Sequence, residues 1–237
     1  MTDPNAAAPI SPAARRRGFA VAVLVAAFTI LDLTKVNVAL PAIETAFDIG
    51  STELQLIVSG FVLTFGLTLV PMGRLGDQRS RRVLFVVGLS LFTLTSLACA
   101  LAPTSEVLLI ARLLQGVAAG IQMPQVVGLI QELYQGPERG RAFGMFGATI
   151  GLATAFGPTL GGLLIAAFGE ENGWRWIFLV NVPIGAVLLV AIARLVPGRL
   201  DDAPADTRLD GRGALLLGAT VLALLYPVVS LETGQRV

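Results

Sequence analysis

Charged residues leave long gaps in this chain, and each gap has the length of a membrane crossing. Glu53 and Arg74 are separated by 20 uncharged residues, Arg82 and Glu106 by 23, and Arg112 and Glu132 by 19. Arg141 and Glu170 are separated by 28, Arg175 and Arg194 by 18, and Arg212 and Glu232 by 19. A helix needs about 20 mostly apolar residues to cross the hydrocarbon core, so each gap predicts one span. A further apolar run from Phe19 to Pro41, interrupted by Asp32 and Lys35, precedes them and makes seven. Only 14% of the 237 residues are charged, against about 25% in a soluble domain, and the mean hydropathy is +0.77. The chain reads as an all-α membrane protein. Arg15, Arg16 and Arg17 ahead of the first run suggest a signal peptide, but that run outlasts a signal h-region and six segments follow, so it reads as a retained first span.

The residues also exclude several chemistries. With no histidine, imidazole metal sites and Ser-His triads cannot form, and one cysteine, Cys99, cannot close an internal disulfide. A net charge of +1 lacks the concentrated basic excess that nucleic acid requires. Nothing calls for an enzyme or a cofactor.

Lys and Arg placement sets the expected orientation. A cytoplasmic N-terminus puts 13 of the 17 cations inside, while Glu44, Asp48, Glu53, Glu106, Glu170, Glu171 and Glu232 fall in the outer loops. Four segments are expected: a cytoplasmic tail over 1–18, a six-helix bundle over 19–195, a cytoplasmic linker over 196–211, and a seventh helix with a short outer tail over 212–237. The linker mixes Pro, Gly, Asp and Arg without apolar periodicity.

Three charges fall within spans: Asp32, Lys35 and Arg112. Each costs about 2.5 to 3.5 kcal/mol at a helix centre unless it faces a partner or an aqueous cavity. Asp32 and Lys35, three apart, share a helical face. Asp32 lies roughly 13 Å below the outer end of its helix near Pro41 and Arg112 roughly 8 Å below that of the fourth, which permits an Asp32 to Arg112 contact. A static ion pair is one reading. The functional reading is a titrating carboxylate, Asp32, whose hold on Lys35 or Arg112 weakens on protonation or in competition with a cationic substrate.

The fifth span is crowded with Gly144, Gly147, Ala148, Gly151, Ala155, Gly157, Gly161 and Gly162, and pairs four apart, Gly147 with Gly151 and Gly157 with Gly161, let helix backbones approach closely. Pro158 within it permits a kink. The segment from Gly73 to Arg82 is read as a tight cytoplasmic loop whose glycines allow the turn. Its arginines serve as a positive-inside anchor, whereas Asp77 among them suggests a specific salt bridge or a helix N-terminus partner.

Together these segments resemble the major facilitator superfamily, in particular its fourteen-helix drug:proton antiporter branch. Gly73, Leu75, Asp77, Arg81 and Arg82 match the superfamily's motif A, with departures at Gln78 and Ser80. Leu108 through Gly120, with Arg112, Gln115 and Gly116, resembles motif B of proton-driven members. Gly157-Pro158-Thr159-Leu160-Gly161-Gly162 resembles the antiporter motif C, with Ala153 where a Gly is usual. Leu31 to Pro41 resembles the first-helix motif of the drug antiporters, and Trp174 to Pro183 the start of their sixth helix. The resemblance implies that Asp77 and its arginines latch the two halves of a transporter, that Arg112 takes part in proton coupling, and that motif C marks export. Lys35 stands where the branch more often carries an apolar residue, which weighs against the usual preference for cations.

The expected fold is then the six-helix N-terminal bundle of a major facilitator transporter plus one extra transmembrane helix, placed in the cell membrane with its C-terminus outside. The expected partners are a small-molecule substrate, protons, membrane lipid, and either a C-terminal half or a second copy. Export of drug-like compounds, uptake of a metabolite, and a non-transporting half that pairs with another chain are the functions open at this point.

Overall fold

The computed structural model describes residues 10–78, 80–169 and 171–196. The expected tail residues 1–9, Arg79 and Glu170, all but the first residue of the expected linker, and the expected seventh helix over 212–237 lie outside them. Seven helices follow in order: α1 Pro12–Phe47, α2 Ser51–Gln78, α3 Arg81–Ala100, α4 Ser105–Leu133, α5 Gly136–Phe168, α6 Gly173–Leu179 and α7 Asn181–Leu195. α6 and α7 form one crossing, so six helices are long and apolar enough to span. Helices satisfy their own backbone groups, which lipid cannot.

Ends are set locally. Ser11, Ser80 and Thr104 cap α1, α3 and α4 by accepting the backbone N–H of Ala14, Val83 and Val107. α5 stops at Gly169, whose φ of 84° suits a residue without Cβ. Two boundaries differ from expectation. α1 runs through Pro41 to Phe47, because one missing N–H does not end a helix whose flanking residues remain apolar. α2 runs through Gly73 and Gly76 to Gln78, so most of the expected loop is helix. These glycines make no turn: a Cβ on Gly76 would overlap the Gln125 amide of α4, and one on Gly73 would meet Pro124.

α4 lies against α2 and α3, α1 against α5, and α3 against α7. The α2–α4 contact is close because Gly116 and Gly120 sit against the Phe61 and Phe65 carbonyls, and the Thr64 hydroxyl donates to the Leu113 carbonyl at 2.8 Å. On α5 only part of the glycine pattern packs. Gly157 and Gly161 touch α1, with an added Cβ at Gly161 falling 2.8 Å from the Lys35 carbonyl oxygen. A Cβ added at Gly144, Gly147, Gly151 or Gly162 meets nothing within 4 Å among the described residues, so within these the close approach is made by Gly157 and Gly161 and not by the Gly147 and Gly151 pair.

The apolar core is divided. One cluster, toward the arginine-rich end, holds Phe28, Phe92, Ala118 and Leu188; the other holds Val36, Cys99, Leu108 and Phe178. Between the two clusters α1, α3, α4 and the crossing formed by α6 and α7 each bury polar side chains, among them Asp32, Ser96, Arg112 and Asn181.

Candidate functional site

That polar layer gathers six side chains: Asp32 and Lys35 from α1, Ser96 from α3, Arg112 and Gln115 from α4, and Asn181 from the first position of α7, all buried. The α6 to α7 break has a local cause. Pro183 cannot donate to the carbonyl four residues back, at Leu179, and its ring crowds that turn. α6 ends at Leu179 and Asn181 opens α7 at the depth of Asp32.

Asp32 is the hub. Arg112 Nη1 donates to its Oδ2 at 3.1 Å, and Asn181 Nδ2 donates to its Oδ1 at 2.6 Å. Lys35 Nζ stands 3.5 Å from the same Oδ1 and donates its hydrogen bond to Asn181 Oδ1 instead. Arg112 Nη1 also donates to Gln115 Oε1 at 2.7 Å; Gln115 Nε2 donates to Ser96 Oγ at 2.8 Å, which also accepts from Asn181 Nδ2 at 3.2 Å. Arg112 Nε and Nη2 have no hydrogen-bond acceptor among the described residues. The guanidinium lies 4.3 Å from the Phe61 ring centre, whose negative face offsets part of its charge.

The structure thus joins Asp32, Lys35, Arg112 and Gln115 in one network, including the Asp32 to Arg112 contact that span depth permits. Asn181 and Ser96 were not singled out by the sequence. Neutral polar residues do not interrupt an apolar gap, and the pointers to Asn181 are its place two residues before Pro183 and within the Trp174 to Pro183 segment.

A second charged group closes the arginine-rich end of α2, α3 and α4. Arg81 Nη2 donates to Asp77 Oδ1 and Arg81 Nε to Glu132 Oε1. The guanidinium lies across Gly128, where a Cβ would collide with it. Arg82 reaches the Ala193 carbonyl at the end of α7. Asp77 therefore has the specific salt bridge that its isolation among arginines suggested, and the bridge is made within this bundle. The motif C residues divide: Gly157 and Gly161 hold α5 on Thr34 and Lys35, while Pro158 is exposed and Gly162 lines a crevice of about 1120 Å³ between α1, α5 and α6. Among the described residues no group of His, Cys, Asp and Glu is arranged to hold a metal.

Known proteins agree with this architecture. Residues 18–231 match the family model described as Major Facilitator Superfamily. The chain is 38% identical over 229 residues to the probable actinorhodin transporter of Streptomyces coelicolor, covering 96% of this chain and 39% of that protein. It is 37% identical over 222 residues to the puromycin resistance protein pur8 of Streptomyces alboniger, covering 92% of this chain and 43% of that one. The chain therefore spans about two fifths of the length of these relatives. Among solved structures, the inward-facing, unoccupied bacterial homologue of the human lysosomal transporter Spinster superposes with a TM-score of 0.70 at 20% identity, over 85% of this chain and 48% of that one. Six apolar crossings among the described residues and these matches converge on one family of transporters rather than enzymes: the chain belongs to the Major Facilitator Superfamily.

Proposed function

We propose that this chain forms the N-terminal bundle of a proton-coupled exporter of drug-like or amphipathic small molecules, working by alternating access. The observation that carries the reading is the buried network of Asp32, Lys35, Arg112 and Gln115. A static fold gains little from three charges placed where each is expensive, whereas a coupling site needs groups whose pairing changes with a bound proton or substrate. Relatives named for antibiotic transport and resistance support a small-molecule cargo. The α1 to α5 seam, closed on glycine at Gly157 and Gly161, suits two helices that must rock against each other. The Asp77, Arg81 and Glu132 group serves as the gate at the cytoplasmic end, with the N-terminus on the cytoplasmic side of the cell membrane.

Because relatives are more than twice as long, transport belongs to an assembly with a C-terminal half or a second copy. The weakly covered α2 and α5 helices favour that arrangement over a bundle acting alone. The test is proton flux in vesicles with cargo gradients imposed in each direction, with and without a co-expressed C-terminal half. Asp32→Asn abolishes coupled export and leaves membrane insertion intact; normal coupled export by that variant refutes the assignment. Flux driven only inward selects the uptake reading, which Lys35 and Ala153 favour.

A further inference from the structure

We propose that Lys35, and not Asp32, carries the exchangeable proton of this network. The inference rests on the coupling role given to the network above and names the atom that serves it. Lys35 is the only lysine in the chain; the other 16 basic residues are arginine. Arginine does not lose its proton in proteins, whereas a buried lysine does so readily. A chain that otherwise uses arginine for every cation buries its one lysine within a membrane-spanning helix.

The geometry separates the two candidates. Both Asp32 oxygens are committed, Oδ2 to Arg112 Nη1 and Oδ1 to Asn181 Nδ2. Each oxygen keeps a second lone pair, but a proton on either removes the carboxylate's charge and leaves Lys35 and Arg112 facing each other without a counter-ion. Lys35 is placed differently. Its one hydrogen bond goes to the neutral Asn181 Oδ1, and its distance to Asp32 Oδ1 is 3.5 Å. An amine donates to that oxygen as an ammonium does, so proton loss keeps the hydrogen bond and leaves a balanced Asp32 and Arg112 pair. The ammonium form leaves the network one positive charge in excess.

The groups around Lys35 do not supply another carrier. α1 contributes Asp32, α4 contributes Arg112, and α3 contributes the buried Cys99 thiol, 3.8 Å from Gln115 Oε1. α5 faces Lys35 with Gly157 and Gly161, and α7 with Asn181. Among the described residues no second carboxylate joins the network. The path outward is short. The crevice between α1, α5 and α6 is lined by Val38, one turn beyond Lys35, and by Gly162, next to Gly161. Parting the α1 to α5 seam by one turn brings water to the amine, which then takes up or releases its proton to that water. Since Asp32 is the one carboxylate available, the Lys35 proton and a cationic group of the cargo compete for it, and exchange of one for the other follows.

A single lysine makes the test direct. The 237-residue chain is produced with lysine labelled at Cε and aspartate at Cγ and is titrated in lipid nanodiscs across about pH 5 to 9. The expected result is a lone lysine signal that passes between its ammonium and amine positions, while the Asp32 signal, identified by its loss in Asp32→Asn, does not change. A lysine signal that stays ammonium throughout overturns the proposal, as does an Asp32 signal that titrates in its place. Lys35→Arg, checked for folding by its thermal melt, binds one fewer exchangeable proton over the same range; an unchanged proton count also overturns the proposal. These readouts need no flux, so the two readings fail separately. Coupled flux with a permanently charged Lys35 sinks this inference alone, and a titrating Lys35 without coupled flux sinks the export reading alone.

Discussion

Asn181 gives the sharpest test of the network, because its one amide bonds Lys35, Asp32 and Ser96 together. Asn181→Ala removes three hydrogen bonds: one to the Asp32 carboxylate at 2.6 Å, one to Ser96 at 3.2 Å and one from Lys35. Bonds between membrane helices average about 0.6 kcal/mol and reach about 1.7 kcal/mol; two of these three involve a charged group and belong at the upper end. The total is roughly 2 to 4 kcal/mol, equivalent to a fall in midpoint of roughly 5 to 12 °C for a protein of this size. The assay is thermal unfolding in nanodiscs at a fixed scan rate, since membrane proteins seldom refold fully. Ser96→Ala, which loses two bonds accepted from neutral amides and an intrahelical bond to the Phe92 carbonyl that adds little to stability, is the internal scale and falls by about 2 to 5 °C. An Asn181→Ala midpoint within about 1 °C of the parent, or a smaller fall than that of Ser96→Ala, refutes the network as the tie between α7 and α1.

Two further outcomes follow from packing. Gly161→Val wedges α5 off the Lys35 carbonyl and lowers the midpoint by several degrees, whereas Gly147→Ala meets nothing in the bundle and raises it slightly, by the roughly 0.5 to 1 kcal/mol that a helical glycine forfeits to alanine; equal effects at both sites refute the seam. Cys99, the only cysteine and fully buried, reacts slowly with a maleimide in the parent and at least several-fold faster in Asn181→Ala; equal rates show that the layer does not control opening of the bundle.

The crossings and their charged exceptions were legible because charge in lipid is expensive enough to be avoided almost everywhere. Asp32 and Arg112 therefore announced themselves, and helical rise placed them at compatible depths. The gaps in legibility have the opposite cause. Asn181 and Ser96 cost too little to stand out, and only the fold shows that they meet. Arg74 and Asp77 look like loop residues because they are charged, but a helix need not stop where apolar sequence ends, and α2 includes both before it ends at Gln78. Glycine spacing showed that close packing was available on α5 without showing which face uses it. Gly157 and Gly161 meet α1 while Gly147 and Gly151 face away, a difference fixed by the rotation of α5 rather than by its composition.

The division of the core also has a history in time. Arg112 is synthesised 77 residues after Lys35, and Asn181 comes 69 residues later again. At about 5 to 20 residues per second, the first helix waits roughly 4 to 15 s for its arginine. During that interval the i,i+3 pairing of Lys35 with Asp32 is the one neutralising contact available, and it forms with α1 itself. The lysine thus admits its own helix to the bilayer as half of a temporary pair. Arrival of α4 and α7 draws the carboxylate onto Arg112 and Asn181, and the residue that made insertion affordable is released for other use.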